Sequence, residues 1–255
     1  MISYLALQFR FLFLGLAEKL GTKNEKIPAI PSPRLRYRVH GSTEPYGYIE
    51  VGKLSWKSIE KILANINRPI DGFENILDFG CGTGRVLRNI PNRDQTNIWG
   101  IDIDSAAIHW CQKHLPGARF EHIDSNPPTH FDRESLDLIF SISVFTHLDE
   151  RRQDQWLEEM SRLLRPGGIL IASVHGDYHR ELHSREVDMK SGFVFNDSKR
   201  RFFKKDGLPQ FYQDAHHTKQ YVMESWSRYF TIIDYVERGI VDHHDAVVLT
   251  KKRPA

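Results

Sequence analysis

Three glycines alternate directly behind an acid in Asp78-Phe79-Gly80-Cys81-Gly82-Thr83-Gly84. Glycines let a backbone approach a ligand closely. A second acid, Asp102, ends the next apolar run, where it can hold both hydroxyls of a ribose. The spacing is GxGxG, not the GxGxxG that cradles a pyrophosphate, and Asp78 would repel such a group. The expected ligand is a nucleoside with a cationic, phosphate-free end. Asp78 then orients the loop or meets the cation, and Gly80, Gly82 and Gly84 pass beneath it. Cys81 reads as a small residue that fits, since nothing nearby activates a thiol. Histidine is the second resource, as the default proton acceptor near neutral pH. His147, His175, His179, His216 and His217 all fall in segments expected on the open side of such a pocket.

These residues need a scaffold, and the flanking sequence supplies an alternating one. Runs 75–79, 97–101, 119–122, 136–141 and 169–174 read as strands. Runs 84–90, 105–114 and 150–164 read as helices between them. Such alternation specifies a parallel sheet with helices on both faces. Asp104 and Ser105 suit the start of the second of these helices, because their oxygens satisfy free N–H groups. Before the core, 49–66 reads as a helix. After it, 219–229 reads as a helix, and 230–236 and 246–251 read as a closing strand pair with His243-His244-Asp245 in the turn. Residues 177–218 break the alternation, being polar and rich in aromatics and histidine.

The ordered pieces ILDFGCGTG, GIDID, FEHIDSNPP, SLDLIFSISVFTHL and LLRPGGILIAS resemble the class I S-adenosylmethionine-dependent methyltransferases, from about Ile76 to Gly168 and again at the C-terminus. The resemblance implies a Rossmann-like doubly wound α/β sheet, mostly parallel with an antiparallel C-terminal strand. It implies S-adenosylmethionine as cofactor. Ile103 then packs on the adenine, Asp124 accepts from the adenine amino group, and Ser141 faces the methionine and reactive methyl. The expected activity is methyl transfer to an oxygen, with nitrogen second, of a small molecule or glycan. A hydroxyl acceptor loses a proton, so a base helps; His147 and His216 are the candidates. Two alternatives stay open: an NAD(P)-dependent Rossmann enzyme, and a catalytically inactive methyltransferase fold that binds a partner.

Domain boundaries follow. Residues 1–55 form an N-terminal helix, a proline-rich linker and a cap segment. Residues 56–176 form the cofactor-binding core, 177–218 a lid or substrate insertion, and 219–255 complete the core. In the insertion Tyr178, Phe193, Phe195, Phe202, Phe203, Phe211 and Tyr212 line an acceptor pocket or build the lid's own small core. His175, His179 and His183 recur at four-residue spacing and could share a helix face. Gly176 opens that segment and no carboxylate cluster accompanies it, so no metal site is expected.

Bulk properties narrow the partners. The 255 residues suit one α/β domain with additions. The net charge is +2 with both signs interspersed, so no nucleic-acid partner is expected. The two cysteines, Cys81 and Cys111, form no disulfide framework and suit a reducing compartment; a cytoplasmic location is expected. The Leu- and Phe-rich residues 2–17 are too short to span a bilayer and lack a clear cleavage site. This helix either caps the domain with its apolar side buried or lies in a membrane surface, giving peripheral contact through residues 1–20.

Overall fold

The computed structural model describes residues 4–21, 29–91, 96–182, 191–196, 209 and 211–252. His183, Phe202 and Phe203 lie outside them, with much of the 177–218 insertion. Strands β1 (Asn75–Phe79), β2 (Asn97–Asp102), β3 (Arg119–His122), β4 (Leu136–Ser141), β5 (Leu164–Val174), β8 (Phe230–Ile240) and β9 (His244–Lys251) form one sheet in the order β3-β2-β1-β4-β5-β9-β8. Strands β1 to β5 pair in parallel. β9 pairs antiparallel with both β5 and β8, so it alone runs against the rest. A separate two-stranded sheet joins β6 (Phe193–Asn196) to β7 (Asp214–His217).

The strand period of two sorts the core. Ile76, Leu138, Phe140, Ile169, Ile171 and Val248 pack with α3 (Pro45–Asn65) and α4 (Ser105–His114) on one face. Leu77, Ile139, Leu170, Ala172, Val247 and Leu249 pack with α5 (Glu150–Leu163) and α7 (Lys219–Ser225) on the other. Each buried Leu, Ile or Phe adds about 1.5–3 kcal/mol over its exposed state. The same alternation brings Asp78, two residues on from Ile76, to the carboxyl end of β1.

Three segments start with caps readable in the residues. Ser32 and Pro33 open α2 (Pro33–His40), and Gly41 closes it at φ 70°. Glu44 accepts from the Tyr46 and Gly47 amides to start α3. Asp104 accepts from the Ala106 and Ala107 amides to start α4, as expected.

Other expectations are corrected. No α-helix forms over 84–90. Gly84 is left-handed at φ +64°, and Pro91 bars helical geometry at Ile90, so only a 3₁₀ turn, Leu87–Asn89, fits between. Helix α5 ends at Leu163, and β5 begins at Leu164, which pairs with Leu136 before a bulge. Helix α3 begins at Pro45 rather than residue 49. Helix α7 stops at Ser225, and a 3₁₀ turn continues to Arg228. His244 and Asp245 belong to β9, not to the turn, because β8 runs on to Ile240.

At the N-terminus, α1 (Tyr4–Gly21) buries Phe11 against Tyr37, with ring centroids 5.4 Å apart. Phe9, Leu12, Phe13 and Leu16 are exposed. Among the described residues no helix is long and apolar enough to cross a membrane.

Candidate active site

A cavity of about 670 Å³ opens at the carboxyl ends of β1, β2, β4 and β5. In open α/β sheets ligands bind at this edge. The glycine loop forms its floor. The Gly80 and Cys81 amides donate to the Ile101 carbonyl at 2.8 and 3.0 Å, which knits the loop to β2. Gly82 is left-handed at φ +53°, and a Cβ there would stand 2.7 Å from Val39 Cγ1. A side chain at Gly82 would therefore collide with α2, which lies over the loop. Helix α3 clamps the loop from beneath. The Tyr48 hydroxyl is 2.9 Å from Thr83 Oγ1, and Gly52 leaves room for the Arg85 carbonyl.

Two acids face this floor. Asp102 accepts from the Gly82 amide and the Asp104 amide, each at 2.7 Å. These bonds fix its carboxylate and leave lone pairs for hydroxyl donors. Burial raises its pKa, and the two amides oppose the rise. Asp78 is 2% exposed, and its Oδ2 has no hydrogen-bond partner. Burial first, then the charge of Asp102, lifts its pKa well above the carboxylate range, with Arg85 opposing. A buried carboxylate oxygen without a donor is suited to a ligand cation. The ammonium of S-adenosylmethionine fits here, and the ribose hydroxyls fit Asp102. A pyrophosphate does not fit beside Asp78, which removes the ground for a nicotinamide cofactor.

Of the expected residues, Asp78, Gly80, Cys81, Gly82, Asp102, Ile103 and His147 line this one cavity. Gly84, Asp124, Ser141 and His216 are not on its wall. Gly84 faces Leu115 and Phe120, so its lack of a side chain serves packing. Asp124 is exposed, while its neighbours Ile123 and Ser125 line the cavity. Ser141 is fully buried just before the lining residues Ile142, Ser143 and Val144. His216 is fully buried in β7. Burial keeps the Cys81 thiol protonated, consistent with a packing residue.

His147 stands at the opposite wall. Its Nδ1 lies 2.9 Å from the Gln213 carbonyl and 3.6 Å from Asp214 Oδ1. A carbonyl only accepts, so Nδ1 carries the proton and Nε2 is the basic nitrogen. Tyr212 stacks on the ring at 4.2 Å. Burial drives the neighbouring His217 down to about 3. It is neutral and donates to Gln153 Oε1 at 3.0 Å.

Sequence reasoning missed the contribution of α2. Residues 37–41 line the cavity, and Arg38 pairs with Asp104 at 3.1 Å, each only 8% exposed. The signal was present in Ser32-Pro33, a helix start that reads equally as a proline-punctuated linker. His179, expected on the open side, lies on this wall, and His243 and His244 join it from the turn into β9.

The methyltransferase-domain family profile matches residues 76–168. The chain is 28% identical over 123 residues to an uncharacterized methyltransferase of Oceanobacillus iheyensis, covering 47% of this chain and 56% of that protein. It is 31% identical over 102 residues to the malonyl-[acyl-carrier protein] O-methyltransferase of Hahella chejuensis, covering 39% and 36%. The chain thus spans about half or less of the length of these relatives. A solved S-adenosylmethionine-dependent methyltransferase from Clostridium acetobutylicum superposes with a TM-score of 0.57 at 15% identity, over 79% of this chain and 92% of that one; it shares the fold. Residues 76–168 thus match a methyltransferase domain, and the sheet order and a floor that fits the cofactor are those of the class I S-adenosylmethionine-dependent methyltransferases that the chain resembles.

Proposed function

We propose that the protein transfers the methyl group of S-adenosylmethionine to an oxygen, with nitrogen second, of a small molecule or glycan. The observation that carries the oxygen reading is His147. It presents an imidazole, with Nδ1 held by the Gln213 carbonyl, to the cavity that the glycine loop also lines. A hydroxyl needs such a base, whereas a neutral amine does not.

S-adenosylmethionine supplies an electrophilic methyl on a sulfonium sulfur. Asp78 and Asp102 would hold its ammonium and ribose. An acceptor hydroxyl attacking that methyl would give up its proton to His147 Nε2. Asp214 then lies within 3.6 Å of the charged ring and stabilises it. Holding reactants in line supplies up to about 7–11 kcal/mol of the barrier reduction. Residues 177–218 form the lid over the acceptor. Phe211 and Tyr212 support that division, since both lie on the cavity wall.

The test is a methyl-transfer screen over hydroxylated and amine acceptors, followed by pH profiles of wild type and His147→Gln. The variant is expected to lose about 10²–10⁴-fold in turnover while keeping cofactor affinity. Full turnover with an unchanged pH profile in His147→Gln would sink the base assignment. Transfer to amines alone would move the acceptor to nitrogen.

A further inference from the structure

Five imidazoles gather at the acceptor end of the cavity beside His147, more than proton transfer requires. His175 directly follows β5, His179 lies one turn on in α6 (Asp177–Leu182), His216 sits in β7, and His243 and His244 stand where β8 turns into β9. The sheet register assembles them. Val174 pairs with Asp245, which sets His175 beside His244 with ring centroids 4.8 Å apart. The His217 amide donates to the His175 carbonyl at 2.9 Å and draws the adjacent His216 to the same place. The His216 ring is 5.3 Å from that of His175 and 5.6 Å from that of His179. His175, His179 and His216 are 3%, 7% and 0% exposed. One ring nitrogen from each lies within 4.8 Å of the others.

Packing alone explains this cluster poorly. The His175 Nδ1 is buried without a hydrogen-bond partner, and a buried polar atom left so costs about 1–3 kcal/mol. The rings of His175 and His179 stack at 3.6 Å, too close for two like charges. The neighbouring carboxylate of Asp245 is already engaged by the Tyr235 hydroxyl at 2.7 Å and the Arg238 amide at 2.8 Å.

We propose that His175, His179 and His216 bind one divalent transition-metal ion of the zinc class, with an open coordination position toward the cavity. Imidazoles select zinc, cobalt, nickel or copper over magnesium and calcium, which take oxygen ligands. Three protein ligands and one open position is the arrangement of catalytic zinc sites. Tetrahedral ligation at about 2.0–2.1 Å sets donor nitrogens ~3.3 Å apart, so ring rotations of roughly an ångström close the set. His175 and His179 line the cavity, so the open position faces the acceptor. What the ion does there rests on the methyl-transfer reading: it ligates the acceptor hydroxyl and lowers its pKa, as metal ions do for water. The acceptor class is then a hydroxyl compound that can ligate zinc through oxygen.

The test uses the full chain without tag histidines, stripped by a chelator and titrated with Co²⁺ alone. One equivalent is expected to bind with the visible absorption of a four- or five-coordinate ion, and Zn²⁺ displaces it. His179→Ala and His216→Ala are expected to weaken binding at least tenfold. His109→Ala, on the exposed side of α4, leaves it unchanged. Failure of wild type to take up Co²⁺ saturably overturns the proposal, whatever the variants do. So does wild-type uptake by folded His179→Ala, or uptake lost only in His243→Ala or His244→Ala. Calorimetry of S-adenosylmethionine on the stripped chain separates this from the cofactor reading, because Asp78 and Asp102 hold the cofactor without the ion.

Discussion

Asp78 costs the empty chain stability, and that cost identifies its role. Its burial and the charge of Asp102 raise its pKa in the folded state above the value of about 3.9 in the unfolded chain. From that value up to the raised one, the folded chain keeps a proton that the unfolded chain has lost. Stability from this group is therefore full below the unfolded pKa and is lost as pH rises through the folded one. Asp78→Asn removes the titration. The unliganded variant is expected to unfold at a higher temperature than wild type at neutral pH, with a flatter dependence on pH above about 4. Its affinity for S-adenosylmethionine is expected to fall at least tenfold, since a charged hydrogen bond contributes about 1.5–3 kcal/mol. Thermal unfolding across pH and calorimetry check both halves, and wild-type affinity in the variant would defeat the ammonium assignment. Asp102→Ala differs in sign. It strips the acceptor from the Gly82 and Asp104 amides, so both stability and cofactor affinity are expected to drop. A variant that loses neither by the same two measurements would remove Asp102 from the site.

At the scale of the element, α2 is the part of the site that composition and periodicity conceal. Its eight residues are too few for a helical pattern, and its three arginines suggest a solvated segment. The fold makes it a cover over the glycine loop, and Arg36 holds it there. Arg36 is fully buried. Its Nη1 donates to the Pro31 carbonyl at 2.6 Å, and its Nε and Nη2 donate to the Thr43 carbonyl at 2.8 and 2.6 Å. One side chain thus ties both flanks of the helix. Arg36→Ala is expected to loosen α2, speed proteolytic cleavage within 29–44 and weaken cofactor binding about tenfold or more, while the sheet stays folded. Limited proteolysis with and without S-adenosylmethionine checks it. Equal protection of that segment in the variant and wild type would show that α2 is held by other means. The missing helix after Gly84 has the opposite lesson. The motif predicted it, but Gly84 and Pro91 leave only six residues between them, and local geometry overrode the pattern.

Over the whole molecule, the parallel core was legible because β1, β2, β4 and the second half of β5 are largely apolar runs with helix signals between them. The cofactor floor was legible because the Asp78-to-Gly84 segment is contiguous. The acceptor end was legible in part: the segments of His147, His175 and His216 were expected on the open side, but the contact of His175 with His244 and His216 depends on the antiparallel β9 and the β6–β7 sheet. The N-terminal helix shows the same limit: sequence left two arrangements open. Phe9, Leu12, Phe13 and Leu16 fall at helical spacing on one face and are 71%, 72%, 73% and 61% exposed. Exposed apolar stripes mark interaction surfaces. The exposed Arg10 beside them suits anionic headgroups. Phe11 is the one fully buried side chain among those described in α1, so its loss costs at most about 1.5–3 kcal/mol. Deleting residues 1–21 is therefore expected to abolish co-sedimentation with anionic vesicles and to shift the unfolding temperature little. A large fall in unfolding temperature with vesicle binding retained would restore α1 as a cap, and Phe11 would then be an anchor within a larger buried face.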